Sequence, residues 1–170
     1  MRANLELKAR CPDLGLARER ARALATEWVG VDEQVDTYFA TRAGRLKLRE
    51  SSRSAAQLIP YFRPDEPSAK RSDYQVIAVD DGAGLARMLA RMLGVHRVVR
   101  KRREIALYEN VRIHLDQVEG LGTFVELEAV WDGAAAGLAE QESKLAFLRE
   151  RLGIRAEDVL AGSYETLLGE

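Results

Sequence analysis

The residues of this chain best suited to chemistry are ionised groups that recur at every second position. Leu5, Leu7 and Ala9 alternate with Asn4, Glu6, Lys8 and Arg10, and Leu46 and Leu48 alternate with Arg45, Lys47 and Arg49. Further on, Val111, Ile113 and Leu115 alternate with Arg112, His114 and Asp116, and Val125, Leu127 and Ala129 alternate with Phe124, Glu126 and Glu128. Lys101 and Arg103 share one parity inside Arg100-Lys101-Arg102-Arg103-Glu104. Successive side chains of a β-strand point to opposite faces, so each alternation separates an apolar edge from a charged one. A half-buried sheet facing water accounts for any one of these strands. It accounts less well for all of them, because solvated faces mix in Ser, Thr and Gln, whereas these are almost wholly ionised. Their signs are also sorted, with cations at 45–49 and 101–103 and carboxylates at 126–128.

If the apolar edges turn outward, the charged edges converge in a lumen. That lumen holds Lys8, Arg45, Lys47, Arg49, Arg63, Lys101, Arg103 and Arg112 against Glu6, Asp116, Glu126 and Glu128. Cations in such excess repel one another in a confined, low-dielectric space, so the arrangement calls for a polyanion to complete it. A triphosphate carries about four negative charges near neutral pH. Arginine forks match its oxygens and lysines act as point charges, so these cations are the candidate substrate-binding groups and, Arg45 apart, the candidate catalytic ones. Carboxylates repel phosphate unless a hard cation stands between them. Glu126 and Glu128 share one face of a strand about 7 Å apart, and with Glu6 from another strand they are expected to hold Mg²⁺ or Mn²⁺. Zinc is disfavoured, since the chain's one cysteine, Cys11, and its two histidines, His96 and His114, are scattered.

These side chains need strands to position them. Period-2 patterning predicts strands over about 3–10, 34–42, 44–50, 57–63, 72–79, 97–107, 109–118 and 122–131. Helical spacing predicts helices from about Asp13 to Glu27, from Asp80 or Asp81 to Gly94, and from Ala134 to Leu152, with a short helix or turn from Ser163 to Leu168. Several strands follow one another with only a turn between them, which argues against parallel βαβ winding. The expected fold is α+β: a closed eight-stranded antiparallel β-barrel with helices packed outside, forming one domain over residues 1–170. The Pro-rich stretch Arg63 to Arg71 reads as a mobile connection.

Bulk properties bound the partners. The 170 residues carry a formal net charge of −1, with 46% hydrophobic and 31% charged residues, an ordinary globular composition. No global field draws the chain to nucleic acid or to a membrane surface. The N-terminus meets charge at Arg2 and has no apolar leader, and no apolar run approaches a membrane span, so a cytoplasmic protein is expected. A homodimer stays open, since length does not set oligomeric state.

Six segments, in order, resemble the CYTH superfamily, the triphosphate tunnel metalloenzymes. They are Glu6-Leu7-Lys8, Gly44 to Glu50, Tyr61-Phe62-Arg63, Lys101-Arg102-Arg103, Val111 to Asp116 and Phe124 to Glu128. Gln34 to Phe39 and Val118 to Gly122 look most like class IV adenylyl cyclase-like bacterial proteins. The resemblance implies an eight-stranded tunnel and metal ligands at Glu6, Glu126 and Glu128 with Asp116 nearby. It also implies phosphate-binding positions at Lys8, Lys47, Arg49, Arg63, Lys101, Arg103 and Arg112. One position departs: the family's N-terminal signature is Glu-x-Glu-x-Lys, and here Asn4 stands first, keeping an oxygen acceptor but losing a charge.

Three functions follow as expectations. The first is metal-dependent hydrolysis of a triphosphate compound, whether inorganic tripolyphosphate, a nucleoside triphosphate or another organic triphosphate. The second is a class IV adenylyl cyclase, in which the ribose 3′-hydroxyl of ATP displaces pyrophosphate and Tyr38, Phe39, Tyr61 and Phe62 wall the adenine. The third is a non-catalytic polyphosphate or nucleotide binder, which Asn4 would suit.

Overall fold

The computed structural model describes residues 2–62 and 70–169. In chain order the elements are β1 (Arg2–Arg10), α1 (Leu14–Leu24), β2 (Glu27–Phe39), β3 (Arg45–Ser51), β4 (Ala56–Phe62), β5 (Lys70–Tyr74), β6 (Ile77–Val79), α2 (Gly82–Leu93), β7 (Val95–Tyr108), β8 (Val111–Val118), β9 (Gly122–Trp131), α3 (Leu138–Leu152) and the single turn α4 (Tyr164–Leu167). All strand pairings are antiparallel, in the order β3-β2-β7-β8-β9-β1-β5-β4, and β3 pairs with β4 to close the ring.

β5 and β6 act as one interrupted strand. Both pair with β4, through Tyr61↔Tyr74 and Phe62↔Asp73 for β5 and through Leu58↔Ile77 to Ala56↔Val79 for β6. The break at Gln75 and Val76 falls opposite Pro60, which has no N–H to give the ladder; only the Gln75 amide still bonds the Pro60 carbonyl, at 3.1 Å. The expected eight-stranded barrel is therefore present, with one strand broken at a proline.

β2 is longer than its alternation suggested. Helix α1 stops at Leu24, and the Thr26 amide bonds the Leu107 carbonyl at 2.8 Å, drawing the chain into the β2–β7 ladder from Glu27 onward. A bulge between Trp28 and Gly30, with Gly30 at φ 117°, shifts the side-chain parity there and hides the strand's first half from a period-2 reading.

The apolar edges point outward, under helices. Leu5, Leu7, Ile113, Leu115, Val125 and Leu127 are buried against Ala17 and Ala21 of α1 and Leu145, Leu148 and Leu152 of α3. Asp13 and Asp81 cap α1 and α2 by accepting from the Leu16 and Gly84 amides, and α3 ends at Gly153 in the left-handed region (φ 72°). A second apolar cluster, including Val99, Val118, Phe124 and Tyr164, joins inward positions of β7, β8 and β9 to α4 and fills one end of the barrel. Helix α2 packs more loosely over β2 and β3, leaving Met88 and Met92 exposed. Among the described residues, no helix is long and apolar enough to cross a membrane.

Candidate functional site

The charged edges meet inside the barrel, in a cavity of about 500 Å³ lined by Glu6, Lys8, Lys47, Arg49, Lys101, Arg103, Arg112, Glu126 and Glu128 among others. Each arrives there by parity: β1 supplies Glu6 and Lys8, β3 Lys47 and Arg49, β7 Lys101 and Arg103, β8 Arg112, and β9 Glu126 and Glu128.

Buried carboxylates hold the cations in place. Asp36, on β2, is 1% exposed and accepts from Arg49 Nε and Nη2 at 2.7 Å each, from Lys101 Nζ at 2.8 Å and from Lys47 Nζ at 3.3 Å. Burial disfavours its charge, but Arg49, Lys101 and Lys47 outweigh that and hold the carboxyl well below its usual range. One carboxylate shared among three cations cannot satisfy them all. Burial, then the surrounding cations, brings Lys101 down to about 7 even with Asp36 opposing. Burial and Arg49 bring Lys47 down to about 8. The ammonium groups of Lys47 and Lys8 also lie over aromatic rings, 5.6 Å from the centre of Tyr38 and 4.0 Å from that of Tyr164.

Arg103 is clamped in the same way. Asp116, fully buried, accepts from Arg103 Nε at 2.7 Å and Nη2 at 2.6 Å, and from the Tyr164 hydroxyl at 2.6 Å. Glu126 meets Lys8 Nζ at 2.9 Å, Arg103 Nη2 at 3.3 Å and His114 Nδ1 at 3.2 Å. Burial opposes its charge, but Lys8 and Arg103 hold it well below the usual carboxylate range. Burial and Arg103 push His114 down, so the imidazole is neutral at neutral pH and its Nδ1–H donates to Glu126.

The donor set for a cation consists of oxygens. Glu6 and Glu128 face each other across the β1–β9 register, which sets two carboxylates side by side on the cavity wall. Glu128 also accepts from Asn4 Nδ2 and from Arg112 Nη1 at 3.2 Å. Asn4 Oδ1, in a residue 4% exposed that lines the cavity, is buried without a hydrogen-bond partner. An orphaned oxygen beside two opposed carboxylates suits a hard cation such as Mg²⁺ or Mn²⁺. Among the described residues no three carboxylate or imidazole groups converge to hold an ion by themselves. For a Mg²⁺ ion held there, phosphate oxygens and water would complete the shell.

Two expected positions lie elsewhere, and a third is outside the described residues. Arg45 sits beyond the cavity at the strand's end, pairing with Glu165 at 3.3 Å beside a separate cleft. Asp116 stands behind Arg103, its oxygens engaged by Arg103 and Tyr164, and does not line the cavity where a metal would sit. Arg63, with the rest of 63–69, is outside the described residues. Of the aromatic residues expected to wall an adenine, Tyr38 and Tyr61 line the cavity, whereas Phe39 and Phe62 border the separate cleft, since adjacent strand residues face opposite ways. Asp36 and Tyr164 carry no sequence signal that marks them as site residues. Asp36 falls in a strand of mixed polar types with no sorted sign, and Tyr164 in a weak terminal turn.

The comparisons with known proteins agree with this architecture. The chain is 30% identical to adenylate cyclase CyaB of Aeromonas hydrophila over 176 residues, covering 98% of this chain and 88% of that protein. The solved PH1012 protein of Pyrococcus horikoshii superposes with a TM-score of 0.84 at 24% identity, covering 96% of this chain and 98% of that one. HpAC1 of Hippeastrum, a protein with a dominant triphosphatase activity, shares the fold at a TM-score of 0.69 and 14% identity, covering 99% and 95% of the two chains. The CYTH domain is matched over residues 2–164, from the first strand to the tyrosine that closes the cavity, and the chain belongs to that family.

Proposed function

We propose that this protein binds a triphosphate compound in the barrel with a divalent metal ion and hydrolyses one of its phosphoanhydride bonds. One observation carries the reading: among the described residues, six cations and four carboxylates (Glu6, Asp36, Glu126, Glu128) line one cavity. Their formal excess of two positive charges is what a triphosphate of about −4 with one divalent ion neutralises.

In this reading Lys8, Lys47, Arg49, Lys101, Arg103 and Arg112 bind the phosphate chain, and Arg63 is assigned to the same task. Asp36 and Asp116 hold Arg49 and Arg103 in fixed orientations before the ligand arrives, so charge developing on the transferred group meets donors already in position. Glu6, Glu128 and Asn4 Oδ1 hold the metal, with Glu126 beside them. When bound, the metal would supply Lewis-acid polarisation of phosphate oxygens and an oriented water. The neutral His114, whose Nδ1–H is committed to Glu126, keeps that carboxylate in place.

A second reading, class IV adenylyl cyclase, is favoured by the likeness to CyaB across nearly all of both chains. Incubation with Mg²⁺ or Mn²⁺ and product analysis separates the readings. Inorganic phosphate released from tripolyphosphate or a nucleoside triphosphate supports hydrolysis, and cyclic AMP with pyrophosphate supports the cyclase. Tight binding without turnover of any triphosphate would overturn both and leave a binder.

A further inference from the structure

We infer that Gln34 orients the water that attacks the bound phosphate, its side-chain carbonyl accepting a hydrogen bond from that water. The inference rests on the hydrolysis reading above and adds to it the residue that aims the nucleophile.

Gln34 stands on β2 between Asp32 and Asp36, opposite Lys101 of β7 on one side and Ser51 of β3 on the other. It is 6% exposed and lines the cavity. Its amide is fixed from behind. Asp32, 5% exposed, accepts from Gln34 Nε2 at 2.6 Å, from the Ser51 hydroxyl at 2.8 Å and from the Ser52 hydroxyl and amide at 3.1 Å each. Burial disfavours charge on Asp32, but the bonds from Gln34, Ser51 and Ser52 outweigh it and keep the carboxyl below its ordinary range. An ionised carboxylate only accepts, so the amide nitrogen must face Asp32 and the carbonyl oxygen must face away from it. That oxygen, Oε1, is buried and has no hydrogen-bond partner among the described residues.

The neighbouring donors are turned elsewhere. Lys101 Nζ and Arg49 Nε and Nη2 meet Asp36, and Arg103 Nε and Nη2 meet Asp116. Gln34 is thus an uncharged acceptor among cations that draw phosphate oxygens toward them. Ionised phosphate oxygens are acceptors too, so they cannot satisfy Oε1. A water between the two can: it donates one proton to Oε1 and turns a lone pair toward phosphorus. With tripolyphosphate, the water oxygen bonds to the terminal phosphorus as the bridging P–O bond breaks, and that electron pair leaves on pyrophosphate. The amide is too weak a base to take a proton. Both water protons therefore leave on orthophosphate, one on the incoming oxygen and one passed to a neighbouring phosphate oxygen.

Steady-state phosphate release from tripolyphosphate and from ATP, with Mg²⁺, compares the intact chain with Gln34→Met, a near-isosteric change that removes the oxygen. The expected result is a kcat about 100-fold lower with KM within about twofold. Titration of tripolyphosphate in EDTA checks that the variant keeps its fold and cradle, with affinity expected within about twofold of the parent. Gln34→Glu is the second variant. Once protonated, its carboxyl can donate to Asp32 and present a carbonyl oxygen as Gln34 does, so its kcat relative to the parent is expected to rise as pH falls. An unchanged kcat in Gln34→Met would overturn the inference. So would a raised KM at unchanged kcat, which would make Gln34 a contact to a donor on the substrate itself. If Gln34→Met fails to fold, a Gln34→Glu kcat ratio that stays flat or drops toward acid decides against it. A parent chain that releases phosphate from neither compound would overturn the hydrolysis reading together with this inference.

Discussion

Lys101 and Lys47 are the cavity side chains whose charge burial weakens. Each is buried among arginines, and Asp36 is divided between them and Arg49. With ordinary values lowered to about 7 and about 8, both are deprotonated over a range where most lysines stay charged. A bound polyanion stabilises the ammonium form and raises both values, so binding takes up protons whenever the free lysines are neutral. The sign follows: triphosphate affinity is highest below about pH 7 and falls as pH rises through 7 and 8. The decline can reach about tenfold per pH unit for each lysine. Titration of tripolyphosphate between about pH 7 and 9 checks this, and an affinity that holds constant or rises would show that neither lysine meets the phosphates. The same crowding explains Asp36. Its removal would strand three buried cations, and no triphosphate cradle of this shape could persist without it or its replacement by the ligand.

The elements divide into those that make the wall and those that keep it dry on the outside. The strands β1, β8 and β9 present one edge to the cavity and the other to α1 and α3, and this two-sidedness makes their alternation legible in the sequence. Glu6 and Lys8, Lys47 and Arg49, Lys101 and Arg103, and Glu126 and Glu128 all reach the cavity by the parity their spacing implies. Parity says which face a side chain takes but not how far along the barrel it lies. Arg45 therefore has the right face and stands beyond the cavity, and Asp116 lies a layer behind Arg103. Local backbone events were also illegible. The bulge at Gly30 scrambled the start of β2, and the loss of one donor at Pro60 split a single strand into β5 and β6. If the outer apolar edge serves only support, Leu148→Ala in α3, at a fully buried position, should cost about 2–5 kcal/mol of stability. Tripolyphosphate affinity of the folded variant should stay within about twofold of the parent. Chemical denaturation paired with titration measures both, and a large loss of affinity would mean that α3 shapes the cavity as well as covering it.

As a whole the molecule resembles a charged core turned inside out. Most domains bury apolar groups at their centre and place ions on the surface. This barrel places its apolar edges between sheet and helices and reserves its centre for ion pairs, with α4 sealing one end through Tyr164. Such a centre is costly unless each ion is paired, and the carboxylates Asp36, Asp116 and Glu126 supply much of that pairing before any ligand arrives. What they leave is a residual positive charge on the cavity wall and an unpartnered oxygen on Asn4. Triphosphate and metal together answer both. A crystal structure with tripolyphosphate and Mn²⁺, read through the anomalous signal of manganese, tests this directly. The account predicts phosphate oxygens within hydrogen-bond distance of Lys47, Arg49, Lys101 and Arg103, and a manganese peak between the phosphates and the Glu6, Glu128 and Asn4 oxygens. Phosphate and manganese bound on the outer surface, with the lumen holding neither, would contradict it.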